Sequence, residues 1–399
     1  MAKAREIILD ILYRVFYDSG YASLLMRKMK ADEKDAAFIA ETVYGTIRSR
    51  TLLEEQWKPF AKKTKQKTAV ILDFSVYQLF FMDVPDYAVV NEAVELAGKH
   101  EGKFVNAVLR RVIEQGLITS EKPEVKYSHP AWIHGLWKAH YGEETALKIM
   151  EHDQKKAVSY GRINTLRTSK EEMEKDPSLD FIDEICFRFE GPLQKSEAFK
   201  EGKVLIQDYS SQQTVKLLEA KPGMKVLDAC AAPGTKTQQI AMFMENKGEI
   251  TAGELHEHRA KLIDELMKRT GVSVVTSKVM DATQKDLFEK ESFDRILCDV
   301  PCSGLGDLSH KPEIRWHLKP EDLDEITVIQ KEILSSCSSY LKKGGILVYS
   351  TCTLNRKENE NQVKSFLKAH EDFELLSERT IFPFEYDSDG FYMAALRRN

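Results

Sequence analysis

The sequence predicts an α/β protein in three parts. An all-helical segment spans residues 1–121, a small α+β segment spans 122–200, and an α/β segment with a mostly parallel sheet of seven strands spans 201–399. Three observations carry this. Apolar residues recur at three- and four-residue spacing through the first 120 positions, with few glycines or prolines inside the runs. Pro123, Pro130, Gly142 and Pro177 then punctuate mixed signals. From about residue 201, short apolar strands alternate with helix-length segments, the pattern of a parallel sheet.

Each element follows from its own residues. Ile7, Ile8, Ile11, Leu12 and Val15 share one helical face, as do Ala37, Ile39, Ala40, Val43, Tyr44 and Ile47. Further helices are predicted over 52–57, 70–82, 89–96 and 104–112. The middle segment offers strands over 163–167 and 185–189. In the last segment the strands fall at 225–229, 249–254, 272–279, 294–299, 345–350, 373–376 and 390–396. Helices are predicted over 237–244, 258–269, 320–341 and 358–369.

A chain of 399 residues with 42% hydrophobic and 30% charged content suits a multidomain globular protein. The most apolar stretch, 70–84, is interrupted by Asp73 and Asp83, so no membrane span is predicted. Asp10, Arg14 and Asp18 make the first segment an amphipathic helix rather than a signal peptide, and the cytoplasm is the expected location. The net charge is −5, and residues 1–121 hold 18 Lys and Arg against 17 Asp and Glu. A nucleic-acid partner would therefore be held by local patches, of which Lys62-Lys63-Thr64-Lys65-Gln66-Lys67 is one. The six cysteines, at 186, 230, 298, 302, 337 and 352, include no C-x-x-C pair, which excludes a disulfide framework and a structural zinc site. His256-Glu257-His258 reads as a solvated helix start, and no metal is expected.

The loop after the first strand of the sheet, Cys230-Ala231-Ala232-Pro233-Gly234-Thr235-Lys236, is built of small residues that let a ligand approach the backbone. It lacks the G-x-G-x-x-G of dinucleotide sites and the G-x-x-x-x-G-K-[ST] of phosphate loops. S-adenosylmethionine carries no phosphate and tolerates such a loop. Glu254 ends the second strand, where a carboxylate can accept from ribose hydroxyls, and Asp281 ends the third, where it can face an adenine. Taken singly, each is as readily a cap or turn residue.

Cys302 follows Asp299-Val300-Pro301 and Cys352 follows Tyr349-Ser350-Thr351, both just beyond strand ends. A buried, inert thiol is the ordinary reading of a cysteine, and Cys298 and Cys337 fit it, while the surroundings of Cys186 are uninformative. A thiolate at a strand edge beside a methyl donor suggests instead methylation at carbon 5 of a cytosine. That carbon becomes nucleophilic only after a thiolate adds to carbon 6. The reaction also needs a group near N3/N4, for which Asp299 is the candidate, and a base that is unpaired or flipped out. Spacing alone does not decide which cysteine attacks.

The run from Cys230 to Thr237, Asp299-Val300-Pro301-Cys302-Ser303-Gly304-Leu305-Gly306 and Ser350-Thr351-Cys352-Thr353 resemble the motifs of the Sun/RsmB (Fmu) RNA cytosine-C5 methyltransferases. Lys311-Pro312-Glu313-Ile314-Arg315-Trp316 and Gln207-Asp208-Tyr209-Ser210-Ser211-Gln212 add to the match. Val43-Tyr44-Gly45-Thr46-Ile47-Arg48 and the run from Phe104 to Arg111 resemble the NusB-like RNA-binding domain fused to the bacterial 16S rRNA enzyme. The resemblance implies a Rossmann-like class I methyltransferase domain over 201–399, a NusB-like domain over 1–121 and a linker domain over 122–200. It implies S-adenosylmethionine as cofactor, bound by Cys230 through Lys236, Glu254, Asp281 and Asp299. It implies a monomer acting on 16S rRNA, free or in early assembly, with Cys352 as nucleophile and Cys302 assisting product release. Thr235 stands where the family usually has glycine, Glu254 where it usually has aspartate, and Asp307-Leu308-Ser309-His310 where basic residues are common. The rival expectations are a non-catalytic RNA-binding or assembly protein, the same chemistry on another RNA such as tRNA, and methylation of a small molecule or protein.

Overall fold

The computed structural model describes residues 2–29, 33–61 and 63–399. Their contacts form two compact units, Met1–Lys156 with Leu308–Leu318, and Ala157–Asp307 with Lys319–Asn399. Residues 122–156 thus lie in the first unit and residues 157–200 in the second.

The first unit is helical. Its main elements are α1 (Ala2–Tyr17), α2 (Ala22–Lys28), α3 (Glu33–Trp57), α4 (Gln66–Phe81) and α5 (Asp86–Gln115), followed by α6 (Pro123–Lys126), α7 (Ala131–Tyr141) and α8 (Glu143–His152). Ile8, Leu12, Val15, Ile39, Val43, Ile47, Val70, Phe74, Val105 and Leu109 meet in one core. The helices expected over residues 37–47 and 52–57 are one continuous α3. Those expected over 89–96 and 104–112 form one span broken at Gly98, whose φ of 72° is outside the helical range. Gly45 is required by packing: a Cβ there would stand 1.9 Å from the Tyr77 ring. Leu308–Leu318 is anchored in this unit. Trp316 Nε1 donates to the Ile47 carbonyl at 2.9 Å, Arg315 to the Ser128 carbonyl at 3.2 Å, and Glu313 accepts from the Ala22 N–H at 2.9 Å. The Lys62 end of the basic patch lies outside the described residues. Lys65 pairs with Glu101 at 2.6 Å, so the patch is partly neutralised.

The second unit holds two sheets. The smaller contains β1 (Ser159–Ile163), β2 (Leu179–Phe181), β3 (Cys186–Phe189) and β4 (Val204–Ile206), all antiparallel, in the order β2-β3-β1-β4. β1 begins four residues before the expected strand, because Gly161 and Arg162 break the apolar signal that would have revealed it. Asn164 turns the chain there, donating to the Gly202 and Thr270 carbonyls.

The larger sheet contains β5 (Lys225–Asp228), β6 (Glu249–Glu254), β7 (Val275–Val279), β8 (Phe293–Asp299), β9 (Leu341–Thr351), β10 (Phe373–Ile381) and β11 (Phe391–Arg398), in the order β10-β11-β9-β8-β5-β6-β7. Its five strands from β5 to β9 are parallel, and β10 and β11 are antiparallel additions, giving the seven-stranded, mostly parallel sheet that the sequence predicts. Alternate residues enter opposite layers. Val226, Leu297 and Val348 pack with Ile240, Ile263 and Met267. Leu227, Ile296, Cys298 and Leu347 pack with Ile333, Cys337 and Phe366. Strands buried on both faces read as continuous apolar runs, which is why they were visible in the sequence. The outer face of β10 is exposed over most of its length, so its polar half was missed. Among the described residues, no helix is long and apolar enough to cross a membrane.

Candidate active site

Parallel strands deliver their carboxyl ends to one edge of a sheet, where α/β proteins hold ligands. Here β5 through β9 bring Cys230, Ala232, Glu254, Asp281, Asp299, Cys302 and Cys352 to the wall of one cavity of about 360 Å³. Of the loop expected to hold the cofactor, Cys230 and Ala232 line the cavity, whereas Ala231, Pro233, Gly234, Thr235 and Lys236 are not among its lining residues. Ala231 is buried in the apolar layer and donates its N–H to the Gly253 carbonyl at 2.8 Å. Gly234 caps the helix Thr235–Phe243 with φ of 102°, a conformation natural to glycine. Asp228, at the end of β5, accepts from the Thr237 hydroxyl at 2.7 Å and ties loop to helix. Burial pushes its pKa up to about 7, against the Thr237 hydrogen bond and with a further contribution from Asp299.

Glu254 is buried and accepts from the His256 N–H at 3.1 Å, with Arg259 at 3.7 Å. Asp281 accepts from both the N–H and the hydroxyl of Thr283, at 3.0 and 2.7 Å. It is a turn residue and a cavity residue at once. His256 precedes the helix Glu257–Thr270 and is exposed, as the sequence predicts for that run.

Asp299 is fixed from two sides. Lys236 Nζ lies 2.7 Å from Oδ2, and the Ser350 hydroxyl donates to Oδ1 at 2.8 Å. The second contact follows from register, because Asp299 of β8 stands opposite Ser350 of β9. Burial disfavours the Lys236 ammonium, but the charge and hydrogen bond of Asp299, and then Cys352, outweigh it and raise the pKa.

The same register carries Cys302 and Cys352 into contact, with their sulfurs 3.4 Å apart. The hydrogen bond to Cys352, then burial, then the charges of Cys352 and Glu358 push the Cys302 thiol far up, so it keeps its proton at neutral pH. Cys298 and Cys337 are fully buried in the apolar layer behind the site.

Sequence reasoning missed a buried polar cluster beneath the two cysteines. Glu358 is fully buried. Its Oε2 accepts from the Ser303 N–H at 2.9 Å and from Gln330 Nε2 at 3.0 Å. Its Oε1 accepts from the Ser303 hydroxyl at 2.6 Å and from Asn355 Nδ2 at 2.9 Å. The run from Asn355 to Asn361 is polar throughout and reads as a solvated helix start, so nothing in the sequence separates Glu358 from its neighbours. Arg162 was missed too. It is buried in β1, donates to the Thr235 carbonyl at 2.8 Å and to Gln207 at 2.5 Å, and burial lowers its pKa to about 9.

The arrangement offers two things: a cavity whose acidic lining suits hydroxyl and amino donors, and a thiol pair beside an ion-paired carboxylate. Comparison with known proteins gives the family. Residues 215–397 match the family model for the 16S rRNA methyltransferase RsmB/F, and residues 2–114 match the NusB family. The probable ribosomal RNA small subunit methyltransferase B of Bacillus subtilis is 34% identical, with 99% of this chain and 98% of that protein aligned. The protein of the same description from Synechocystis is 32% identical over the full length of both. The crystal structure of PH0851 superposes with a TM-score of 0.85 at 25% identity, covering 100% of this chain and 99% of that one. The chain therefore belongs to the RsmB/F family of 16S rRNA methyltransferases.

Proposed function

We propose that the protein methylates carbon 5 of a cytosine in 16S rRNA, using S-adenosylmethionine, through a covalent bond between Cys352 and carbon 6. The observation that carries the reading is the contact of Cys302 and Cys352 at 3.4 Å on the wall of the cavity that Glu254 and Asp281 also line. S-adenosylmethionine would supply a sulfonium-bound methyl group. The residues present fit it: Glu254 and Asp281 are acceptors for ribose hydroxyls and the adenine amine, and Cys230 and Ala232 bring the loop after β5 to the cavity wall. A cavity of about 360 Å³ is within the ordinary range for a small-molecule site.

The roles follow from charge and hydrogen bonding. Cys352 Sγ gives an electron pair to carbon 6, and the displaced ring electrons make carbon 5 the nucleophile that takes the methyl group. Asp299, held by Lys236 and Ser350, balances charge at N3/N4. The Lys236 ammonium stands ready to interact with a Cys352 thiolate. In the last step a water molecule in the open cavity takes the carbon-5 proton, the C–H bonding pair restores the C5–C6 double bond, and the S–C6 bond breaks with its pair returning to Cys352 as thiolate. Cys302, in contact with Cys352 at 3.4 Å, is the group placed to assist the departing sulfur. The assignment of Cys352 rather than Cys302 as the attacking sulfur rests on the resemblance of Ser350-Thr351-Cys352-Thr353 to the family motif, and the 3.4 Å contact places Cys302 beside it in the assisting position.

The helical segment 1–121 is the part we assign to holding RNA, with free or early-assembly 16S rRNA as the substrate in the cytoplasm. Mapping 5-methylcytosine by mass spectrometry in rRNA exposed to the unaltered protein and to Cys352→Ala tests the proposal. Loss of the mark with the variant is expected. An undiminished mark overturns the nucleophile assignment, and absence of 5-methylcytosine with the unaltered protein overturns the reaction.

A further inference from the structure

We infer that Glu358 is a positioning residue for the cysteine pair, locking the loops that carry Cys302 and Cys352 at one spacing. The inference deepens the proposed function and rests on its assignment of Cys352 as the attacking sulfur. Glu358 lies six residues after Cys352 and touches neither substrate nor cofactor by any contact described above. Its carboxylate instead collects one loop from each side. Ser303, next to Cys302, gives it both an N–H and a hydroxyl. Asn355, three residues after Cys352, gives it an amide. Gln330 gives it a second amide and also donates to the carbonyl of Pro301, the residue before Cys302, at 3.0 Å.

Three further bonds close the frame. The Thr353 and Ser303 hydroxyls meet at 2.6 Å, joining the residues that directly follow the two cysteines. Ser303 can give its proton to Glu358 and accept that of Thr353 without conflict. The Tyr349 hydroxyl donates to the Glu358 carbonyl at 2.6 Å, anchoring Glu358 to β9 before the strand reaches Cys352. Asn359 donates to the Thr353 carbonyl at 2.8 Å and accepts from the Thr351 hydroxyl at 2.6 Å, so residues on both sides of Cys352 are held as well.

A fully buried carboxylate with four neutral donors is costly unless every bond is made. A neutral isostere breaks that condition. In Glu358→Gln, one of the two oxygens becomes an NH₂ group facing two donors, either Ser303 N–H with Gln330 or the Ser303 hydroxyl with Asn355. The two loops then relax apart and the 3.4 Å sulfur contact is lost. A carboxylate that served packing alone would leave that contact unchanged.

The test reads the thiol pair directly and needs neither RNA nor methyl donor. Iodoacetamide alkylation of Cys352, followed by peptide mass spectrometry from pH 6 to 10, gives a rate profile in which Cys302 is the neighbouring donor. Glu358→Gln is expected to move the midpoint of that profile by about half a unit or more and to slow methyl transfer by ~10- to 100-fold, the scale of a misplacement of about 1 Å. The KM for the methyl donor should stay within about twofold, because Glu254 and Asp281 come from β6 and just beyond β7, away from the two relaxing loops. Ser303→Ala removes only the hydroxyl bridge, and should move the profile in the same direction by a smaller amount. Should Glu358→Gln fail to fold, Ser303→Ala decides. An unchanged alkylation midpoint in the folded variant overturns the positioning role. If the profile moves but no variant, nor the unaltered protein, methylates RNA, the positioning role stands and the proposed reaction fails.

Discussion

Replacing Cys302 with alanine should convert a transient covalent complex into a trapped one. The structure puts the two sulfurs at 3.4 Å, too close for an intervening water, so whatever Cys302 contributes to release passes directly to Cys352. A proton-transfer partner in contact contributes about 10²–10⁴-fold to its step, or ~3–5 kcal/mol. Attack needs only Cys352 and the groups around Asp299, all of which remain. If addition and breakdown run at comparable rates in the unaltered protein, about half of the working enzyme is adduct at any time, and a ~100-fold slower breakdown raises that share to about 99%. The assay is incubation with deproteinised small-subunit rRNA and methyl donor, denaturation in detergent, and separation of RNA-linked from free protein. Cys302→Ala should give a retarded band approaching the stoichiometry of active sites, and Cys302→Ala with Cys352→Ala should give none. Wild-type turnover by Cys302→Ala without a denaturation-resistant band would refute the division of labour. A band that persists in the double variant would place the covalent bond elsewhere.

Lys236→Met should leave Asp299 with only the Ser350 hydroxyl. Losing one member of a partly buried pair costs ~2 kcal/mol here, so methyl transfer should fall ~10- to 100-fold while the melting temperature moves by less than about 3 °C; equal activity would remove Lys236 from the site. In the helical unit, burial, with the charge of Glu54 adding to it, raises the pKa of Asp73 from 3.8 to about 8, against the hydrogen bond from Trp57. The folded value exceeds the unfolded one, so the stability this group contributes is complete below its ordinary pKa and is lost as pH rises toward about 8, with a slope of up to ~1.4 kcal/mol per pH unit. Asp73→Asn should flatten the fall in melting temperature between pH 6 and 9, and a variant with the wild-type slope would exclude Asp73 as its source.

Most of what is chemically reactive here was legible in the sequence, because it sits at strand ends. The apolar runs of β5 through β9 mark where each strand stops, and in a parallel sheet the next residues share an edge. Cys302, Cys352, Asp299, Glu254 and Asp281 were found in that way and share one cavity wall. The residues that hold them in place were not legible. Glu358, Gln330 and Arg162 are buried polar groups, and a polar residue in a sequence reads as solvated unless its partners are known. Their hydrogen-bond partners lie 28 residues apart in Gln330 to Glu358 and 73 apart in Arg162 to Thr235, distances over which no periodicity survives. Helix boundaries failed for a different reason. Arg48-Ser49-Arg50-Thr51 interrupts the apolar pattern within α3 without ending the helix, whereas Gly98 does divide α5 between the two runs expected there.

On the proposed reaction, the strand order separates the side suited to a methyl donor from the side that carries the two thiols. β5 lies between β6 and β8, so the chain leaves it in one direction toward β6 and β7 and later returns on the other side through β8 and β9. That reversal opens the crevice characteristic of doubly wound sheets. The carboxylates suited to a nucleoside, Glu254 and Asp281, come from β6 and just beyond β7. The thiols come from the loops after β8 and β9. One contact bridges the divide: Lys236, from the helix that follows β5, reaches Asp299 at the end of β8 at 2.7 Å. On the proposed reaction a methyl group crosses this line, and the β5–β8 pairing together with the ion pair joins its two sides. Preorganisation of that kind also accounts for the buried frame around Glu358. The cofactor side needs only a cavity and acceptors, whereas the thiol side must hold two sulfurs in contact through bond formation and bond cleavage. The density of buried hydrogen bonds beneath Cys302 and Cys352 is where that stricter requirement is met.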